Sequence, residues 1–188
     1  MHNISINNFI ALIIIMPINI IEFKARVLDP YKTELFLQSL NPVFKGEDRQ
    51  VDTYFNVTIG RLKLREGNIE RALIWYNRPN DASSKKSEVL LYKHQPDAAL
   101  KEILVKLHGI KVVVDKTRRI YFIDNVKFHF DEVQGLGKFI EVEAIDVSGE
   151  LEIEKLQEQC DYYAALLGVE AEDYIAVSYS DLLLTKLH

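Results

Sequence analysis

Between Lys127 and Glu143 polar and apolar residues alternate with a period of two, interrupted once by Gly135-Leu136-Gly137. That period places successive side chains on opposite faces of a β-strand. Lys127, His129 and Asp131 therefore share one face, with Phe128 and Phe130 behind them. After the glycines, Phe139, Glu141 and Glu143 share a face, with Ile140, Val142 and Ala144 behind. The stretch predicts a β-hairpin with Asp131, Glu141 and Glu143 on one side. Carboxylates at alternate positions beside a Gly-x-Gly turn suit a hard cation such as Mg²⁺, which takes oxygen ligands in a demanding geometry. A solvated face of an antiparallel sheet produces the same alternation, so the rest of the chain has to decide.

The same period recurs. Ile20 to Val27 sets Glu22, Lys24 and Arg26 opposite Ile21, Phe23, Ala25 and Val27. From Arg49, Val51, Thr53, Phe55 and Val57 alternate with Gln50, Asp52, Tyr54 and Asn56. Arg61-Leu-Lys-Leu-Arg65 puts three cations on one face, and a strand over 70–78 gives Glu70, Tyr76 and Arg78 a common face. A polar loop over 79–87 leads to a strand at 88–93. Residues 111–124 read as strand material with a hairpin turn near Asp115, and Val112, Val114, Lys116, Arg118 and Ile120 share parity. Three amphipathic helices punctuate these strands. One follows Asp29-Pro30, a second opens at Pro96-Asp97 and ends at Gly109, and a third runs from Glu150 to Leu167. Residues 171–184 read as shorter mixed structure. The fold class expected is α+β.

About eight antiparallel strands can close a barrel with a lumen. If this sheet closes, its charged faces converge inside and its apolar faces point outward, covered by the helices: a closed antiparallel β-barrel, or tunnel. Charges so enclosed cost several kcal/mol each unless paired or met by a ligand. A polyphosphate satisfies Arg and Lys at alternate strand positions, and its divalent cation satisfies the carboxylates.

Composition narrows the choice. With 188 residues, 48% hydrophobic and 27% charged, the chain can bury one proper core. A net charge of −5 argues against a general nucleic-acid binder. The single cysteine, Cys160, excludes an internal disulfide or a cysteine zinc cluster and favours a cytoplasmic location. The apolar run Phe9–Met16 is far below the roughly 20 residues that span a bilayer, so no membrane association is expected. Met16 is read as the native start, with residues 1–15 an upstream extension and 16–188 a single domain.

Taken together, these motifs resemble the CYTH superfamily, which contains class IV adenylyl cyclases and thiamine triphosphatases and is also known as the triphosphate tunnel metalloenzymes. Ile21-Glu-Phe-Lys-Ala-Arg26 is similar to its N-terminal Glu-x-Glu-x-Lys signature. Gln50–Phe55, Gly60–Arg65, Tyr76–Pro79 and Lys116-x-Arg118 with Tyr121 resemble its basic strands. Asp131-x-Val-x-Gly-Leu-Gly137-x-Phe139-x-Glu141-x-Glu143 resembles its acidic hairpin, and Ser178–Leu183 the ending of its cyclase-like branch. Single motifs of this kind are weak, but their order runs from about Ile20 to Leu184. One departure is plain: Ile20 stands where the signature has its first glutamate.

Resemblance and strand parity together imply Lys24, Arg26, Lys63, Arg65, Arg78, Lys116 and Arg118 as phosphate-binding residues. They imply Glu22, Asp131, Glu141 and Glu143 as ligands of Mg²⁺ or Mn²⁺, and Glu22, Lys63 and Glu143 as the catalytic set. Arg61 and Arg119 fit surface ion pairs better. Asp52 and Tyr54 fit packing against the basic strands, and His129 a structural role. The implied activity is that of a class IV adenylyl cyclase, converting ATP to cyclic AMP and pyrophosphate. A triphosphatase acting on tripolyphosphate, thiamine triphosphate or a nucleotide is the alternative, and a non-catalytic polyphosphate-binding module a third reading. The expected partner is a small triphosphate, and the sequence is compatible with a homodimer.

Overall fold

A computed structural model describes residues 18–77 and 85–186, with side chains from 19 and 89 onward in those two stretches. Its eight strands are β1 (Ile18–Ala25), β2 (Val43–Phe55), β3 (Arg61–Glu66), β4 (Arg71–Asn77), β5 (Lys85–Lys93), β6 (Ile110–Ile123), β7 (Val126–Val133) and β8 (Gly137–Asp146). The helices are α1 (Pro30–Ser39), α2 (Ala98–His108), α3 (Ile153–Leu166) and α4 (Tyr179–Lys186). All strand pairings are antiparallel, in the order β1-β5-β4-β3-β2-β6-β7-β8, and β1 pairs with β8 as well as with β5. The result is a strongly curled eight-stranded sheet with four helices.

Residues 110–123 form one uninterrupted strand, so the hairpin expected near Asp115 does not exist. No Gly or Pro interrupts 110–123, and the strand is held by register with β2 from Val43↔Phe122 to Phe55↔Ile110. β2 itself starts six residues before Arg49, passing through an irregularity between Phe44 and Gly46 that admits a residue at φ 134°. The real turn lies between β7 and β8, where Gly135 and Gly137 adopt φ 77° and 91°, a region costly for any side chain. Residues 85–87, expected in a loop, belong to β5. Met16 and Arg78 lie outside the described residues.

Three apolar clusters hold the sheet in shape. The outward faces of β1, β7 and β8 pack Phe23, Phe128 and Val142 against Leu156, Cys160 and Ala164 of α3. On the other side Phe55 and Leu64 meet Leu104 of α2. The third cluster is interior: Tyr54, Val112, Val114 and Phe139 pack with Tyr179 and with Leu182 and Leu183 of α4. Helices α2 and α3 therefore cover the outside as expected, whereas α4 seals the interior, because Val112 and Val114 share the inward parity of Lys116 but offer only apolar surface. The inner face is thus charged over part of its length and apolar over the rest.

Candidate active site

The strand parity that hides Phe23 and Phe128 turns the alternating charges inward, onto a cavity of about 600 Å³. Among the described residues, nine Lys and Arg side chains line it against five carboxylates, an excess of positive charge inside a chain whose net charge is −5. A cavity lined in this way, with low-dielectric walls, focuses its field on an anion.

The basic side is built on one carboxylate. Asp52, buried on β2, accepts from Lys63 Nζ at 3.0 Å, from Arg65 Nε and Nη2 at 2.9 and 3.0 Å, and from Lys116 Nζ at 2.9 Å. Burial alone would raise its pKa, but Arg65, Lys116 and Lys63 outweigh it and hold the carboxyl well below the usual range. Register supplies the arrangement, with Asp52 directly opposite Arg65 on β3 and Gln50 opposite Lys116 on β6. Three cations on one carboxylate leave most of their charge for something else. Lys116 pays for this crowding: burial first, then Arg65, Arg118 and Lys63, bring its pKa down to about 7 against the pull of Asp52.

Glu70 ties a second pair of cations, accepting from Arg65 Nη1 at 2.8 Å and Lys127 Nζ at 2.5 Å. Its place is set by buried Asp48, which accepts from the backbone N–H groups of Ile69 and Glu70 at 2.8 and 2.9 Å and so fixes the β3–β4 turn.

On the acidic side, Glu141 receives Lys24 Nζ at 3.1 Å on one oxygen and Arg118 Nη2 at 2.6 Å on the other. Burial opposes its ionisation, but these two cations keep its pKa well below the ordinary value. Glu143 lines the cavity beside it and sits opposite Glu22 in the β1–β8 ladder. His129 is fully buried, with Nδ1 3.4 Å from Glu141 and 3.6 Å from Glu143, and neither ring nitrogen has a hydrogen-bond partner among the described residues. Burial and Arg118 lower its pKa, leaving the neutral imidazole that a metal ligand requires. One donor atom from each of His129, Glu141 and Glu143 falls within 4.8 Å of the others. An orphaned imidazole beside two carboxylates fits a divalent cation, with a nitrogen donor that Mn²⁺ accepts more readily than Mg²⁺.

Of the residues expected from sequence, Glu22, Lys24, Lys63, Arg65, Lys116, Arg118, Glu141 and Glu143 all line the cavity. Asp131 does not. Both its oxygens are taken by Arg118, at 2.6 and 2.5 Å, and one also accepts from Tyr179 Oη at 2.7 Å. Arg26 lies just past the end of β1, exposed, donating to the Leu136 carbonyl at 3.0 Å with its guanidinium 4.2 Å from the Phe139 ring centroid. Arg119 pairs with Glu34 of α1 and Arg61 with Asp181, as suits surface cations. Sequence reasoning undervalued His129 and Glu70, although both lie on the inward parity of their strands.

The CYTH domain family model matches residues 19–179. The chain belongs to the CYTH family. Within it, a Methanocaldococcus jannaschii protein provisionally named an adenylate cyclase is 29% identical over 174 residues, 86% of this chain and 97% of that protein. The CYTH fold is also that of the PH1012 protein of Pyrococcus horikoshii, with a TM-score of 0.77, 24% identity and coverage of 87% and 98% of the two chains. A provisionally named adenylyl cyclase of Hippeastrum, with a dominant triphosphatase activity, superposes at a TM-score of 0.57 with 16% identity over 92% and 96% of the chains.

Proposed function

We propose that this CYTH protein is a divalent-metal-dependent enzyme acting on a triphosphate, most like a class IV adenylyl cyclase. The observation that carries the reading is the cavity, lined among the described residues by nine cations and five carboxylates, in a chain similar over most of its length to a Methanocaldococcus jannaschii protein provisionally named an adenylate cyclase. The curled sheet then works as a closed tunnel. Lys63, Arg65, Lys116 and Arg118 take the phosphate oxygens; Asp52 holds the first three in place, and Asp131 and Glu141 hold Arg118, so that little reorganisation accompanies binding. Glu22, Glu141, Glu143 and His129 would hold Mg²⁺ or Mn²⁺, which neutralises phosphate charge and polarises the phosphorus under attack. In the cyclase reaction the ribose 3′-hydroxyl gives up its proton to solvent as its oxygen bonds to the α-phosphorus, the bond to the α–β bridging oxygen breaks, and pyrophosphate leaves. Lys63, with no covalent role, stabilises charge on the phosphates as that bond breaks.

Triphosphate hydrolysis is the second reading, favoured by the triphosphatase activity of the Hippeastrum neighbour. Purified protein is to be incubated with Mg²⁺ or Mn²⁺ and, separately, ATP, tripolyphosphate and thiamine triphosphate, with products separated by chromatography. Cyclic AMP supports the first reading and orthophosphate the second. Intact substrates throughout would overturn the enzymatic assignment.

A further inference from the structure

The turn that carries Glu70 is held in place without the Glu70 side chain. Asp48 accepts from the backbone N–H groups of Ile69 and Glu70, and Asn68 ties the turn to β2 through the N–H of Arg49 and the carbonyl of Glu47. Gly67 packs so closely that an added Cβ would lie 2.6 Å from both Asp48 Oδ1 and the Glu70 carbonyl oxygen. The Glu70 side chain is left to reach into the cavity, where it meets Arg65 of β3 and Lys127 of β7. Counted through the paired strands in either direction, β7 is four strands from β4, which begins at the residue after Glu70. The Glu70–Lys127 pair is therefore a bar across the inside of the curled sheet. It lies near one mouth, where exposed Lys45 and Lys93 line the cavity from neighbouring register positions.

A carboxylate in this place neutralises cations that a bound anion also needs. Burial opposes its ionisation, yet Lys127 and Arg65 hold the Glu70 carboxyl well below the ordinary range, so protonation does not free them near neutral pH. Arg65 keeps its two hydrogen bonds to Asp52 whether or not Glu70 holds it. Lys127 has no other hydrogen-bond or ion-pair partner among the described residues. We propose that Glu70 is an internal competitor for the anion: it occupies Arg65 Nη1 and Lys127 Nζ, and gives both up to phosphate oxygens when a triphosphate enters. A ligand that must displace it binds more weakly, by the fraction of molecules in which the bar is open. Glu70 thus lowers affinity and speeds release. This rests on the triphosphate reading above and adds a control on that site.

Calorimetric titration of tripolyphosphate into the parent protein and Glu70→Gln, at the same Mn²⁺ concentration, tests it. Glu70→Gln is expected to bind about tenfold more tightly, a coupling of ordinary size between two groups that oppose each other at one site. Glu70→Asp keeps the charge but is one methylene too short to hold both cations, so it should fall between the two proteins. It is the variant to read if thermal denaturation shows Glu70→Gln unfolded. In a Lys127→Met background the gain from Glu70→Gln should shrink, because only Arg65 is left to release. Weaker or unchanged binding in both Glu70 variants overturns the proposal and makes Glu70 an aligner of the two cations. A gain of full size in the Lys127→Met background also overturns it, since loss of negative charge alone then accounts for the gain. Absence of binding in the parent and in every variant overturns the triphosphate reading itself, and this proposal with it.

Discussion

Arg118 on β6 holds Asp131 on β7 with two parallel hydrogen bonds of 2.6 and 2.5 Å, directly across the ladder. The hydroxyl of Tyr179, at the start of α4, closes on the same carboxylate. Asp131 therefore orients a cation, accepting three hydrogen bonds on its two oxygens, although it shares a strand face with His129. Asp131→Asn is expected to lose about 3 kcal/mol of stability, since it leaves a buried guanidinium without its main partner. Its Mn²⁺ affinity should stay near that of the parent protein. Thermal denaturation and Mn²⁺ titration followed by electron paramagnetic resonance check both; a large loss of Mn²⁺ affinity would restore Asp131 to the ligand set.

Asp52 is the counterion of Lys63, Arg65 and Lys116 together, so neutralising it sets three adjacent cations, two of them buried, against one another. Asp52→Asn is expected to cost about 3–5 kcal/mol. Because an anion can replace the lost charge, tripolyphosphate should raise the melting temperature of this variant by more than it raises that of the parent. Equal shifts in both proteins would mean that these cations do not face the bound anion.

Much of this site is legible in the sequence because strand parity is a local property. Lys63, Arg65, Lys116, Glu141 and Glu143 are inward for the same reason that their apolar neighbours are outward. What parity cannot supply is which inward residues spend their charge on one another. Asp131 and Glu141 look equivalent in sequence, and only the β6–β7 register, which puts Arg118 opposite Asp131, separates them. Arg26 continues the alternation of β1 one residue beyond the strand's end, where parity no longer sets direction. Glu34 of α1 is buried because Arg119 and Tyr121 on β6 reach it from the sheet's outer face. The sealing role of α4 depends on its return to the interior, a long-range event with no local periodicity to announce it.

His129 offers the sharpest test of the metal site. Its two unpaired ring nitrogens are a cost in the absence of a ligand and a donor in its presence. His129→Ala is expected to weaken Mn²⁺ binding about 10- to 100-fold, the range for losing one oriented group at a metal centre. Mg²⁺, which has less preference for nitrogen, should be affected less. Competitive titration of the two ions against a fluorescent reporter reads the ratio. Parallel losses for both ions would make His129 a packing residue.

Lys116 gives the pH dependence. Its pKa stands at about 7 in the folded protein against 10.5 for an ordinary lysine, so above pH 7 the unfolded chain binds more protons than the folded one. Its contribution to stability therefore rises with pH from about 7 to 10.5. Binding works in the opposite sense. A triphosphate placed against Lys116 favours the charged amine, so at pH 8 binding should draw in up to about one proton, and affinity should fall as pH rises through 7. Calorimetry at pH 8 in buffers of different ionisation enthalpy measures the uptake. Lys116→Met should abolish it, because no amine is then left to recharge. Persistent uptake in that variant would assign the titration to another group in the cavity.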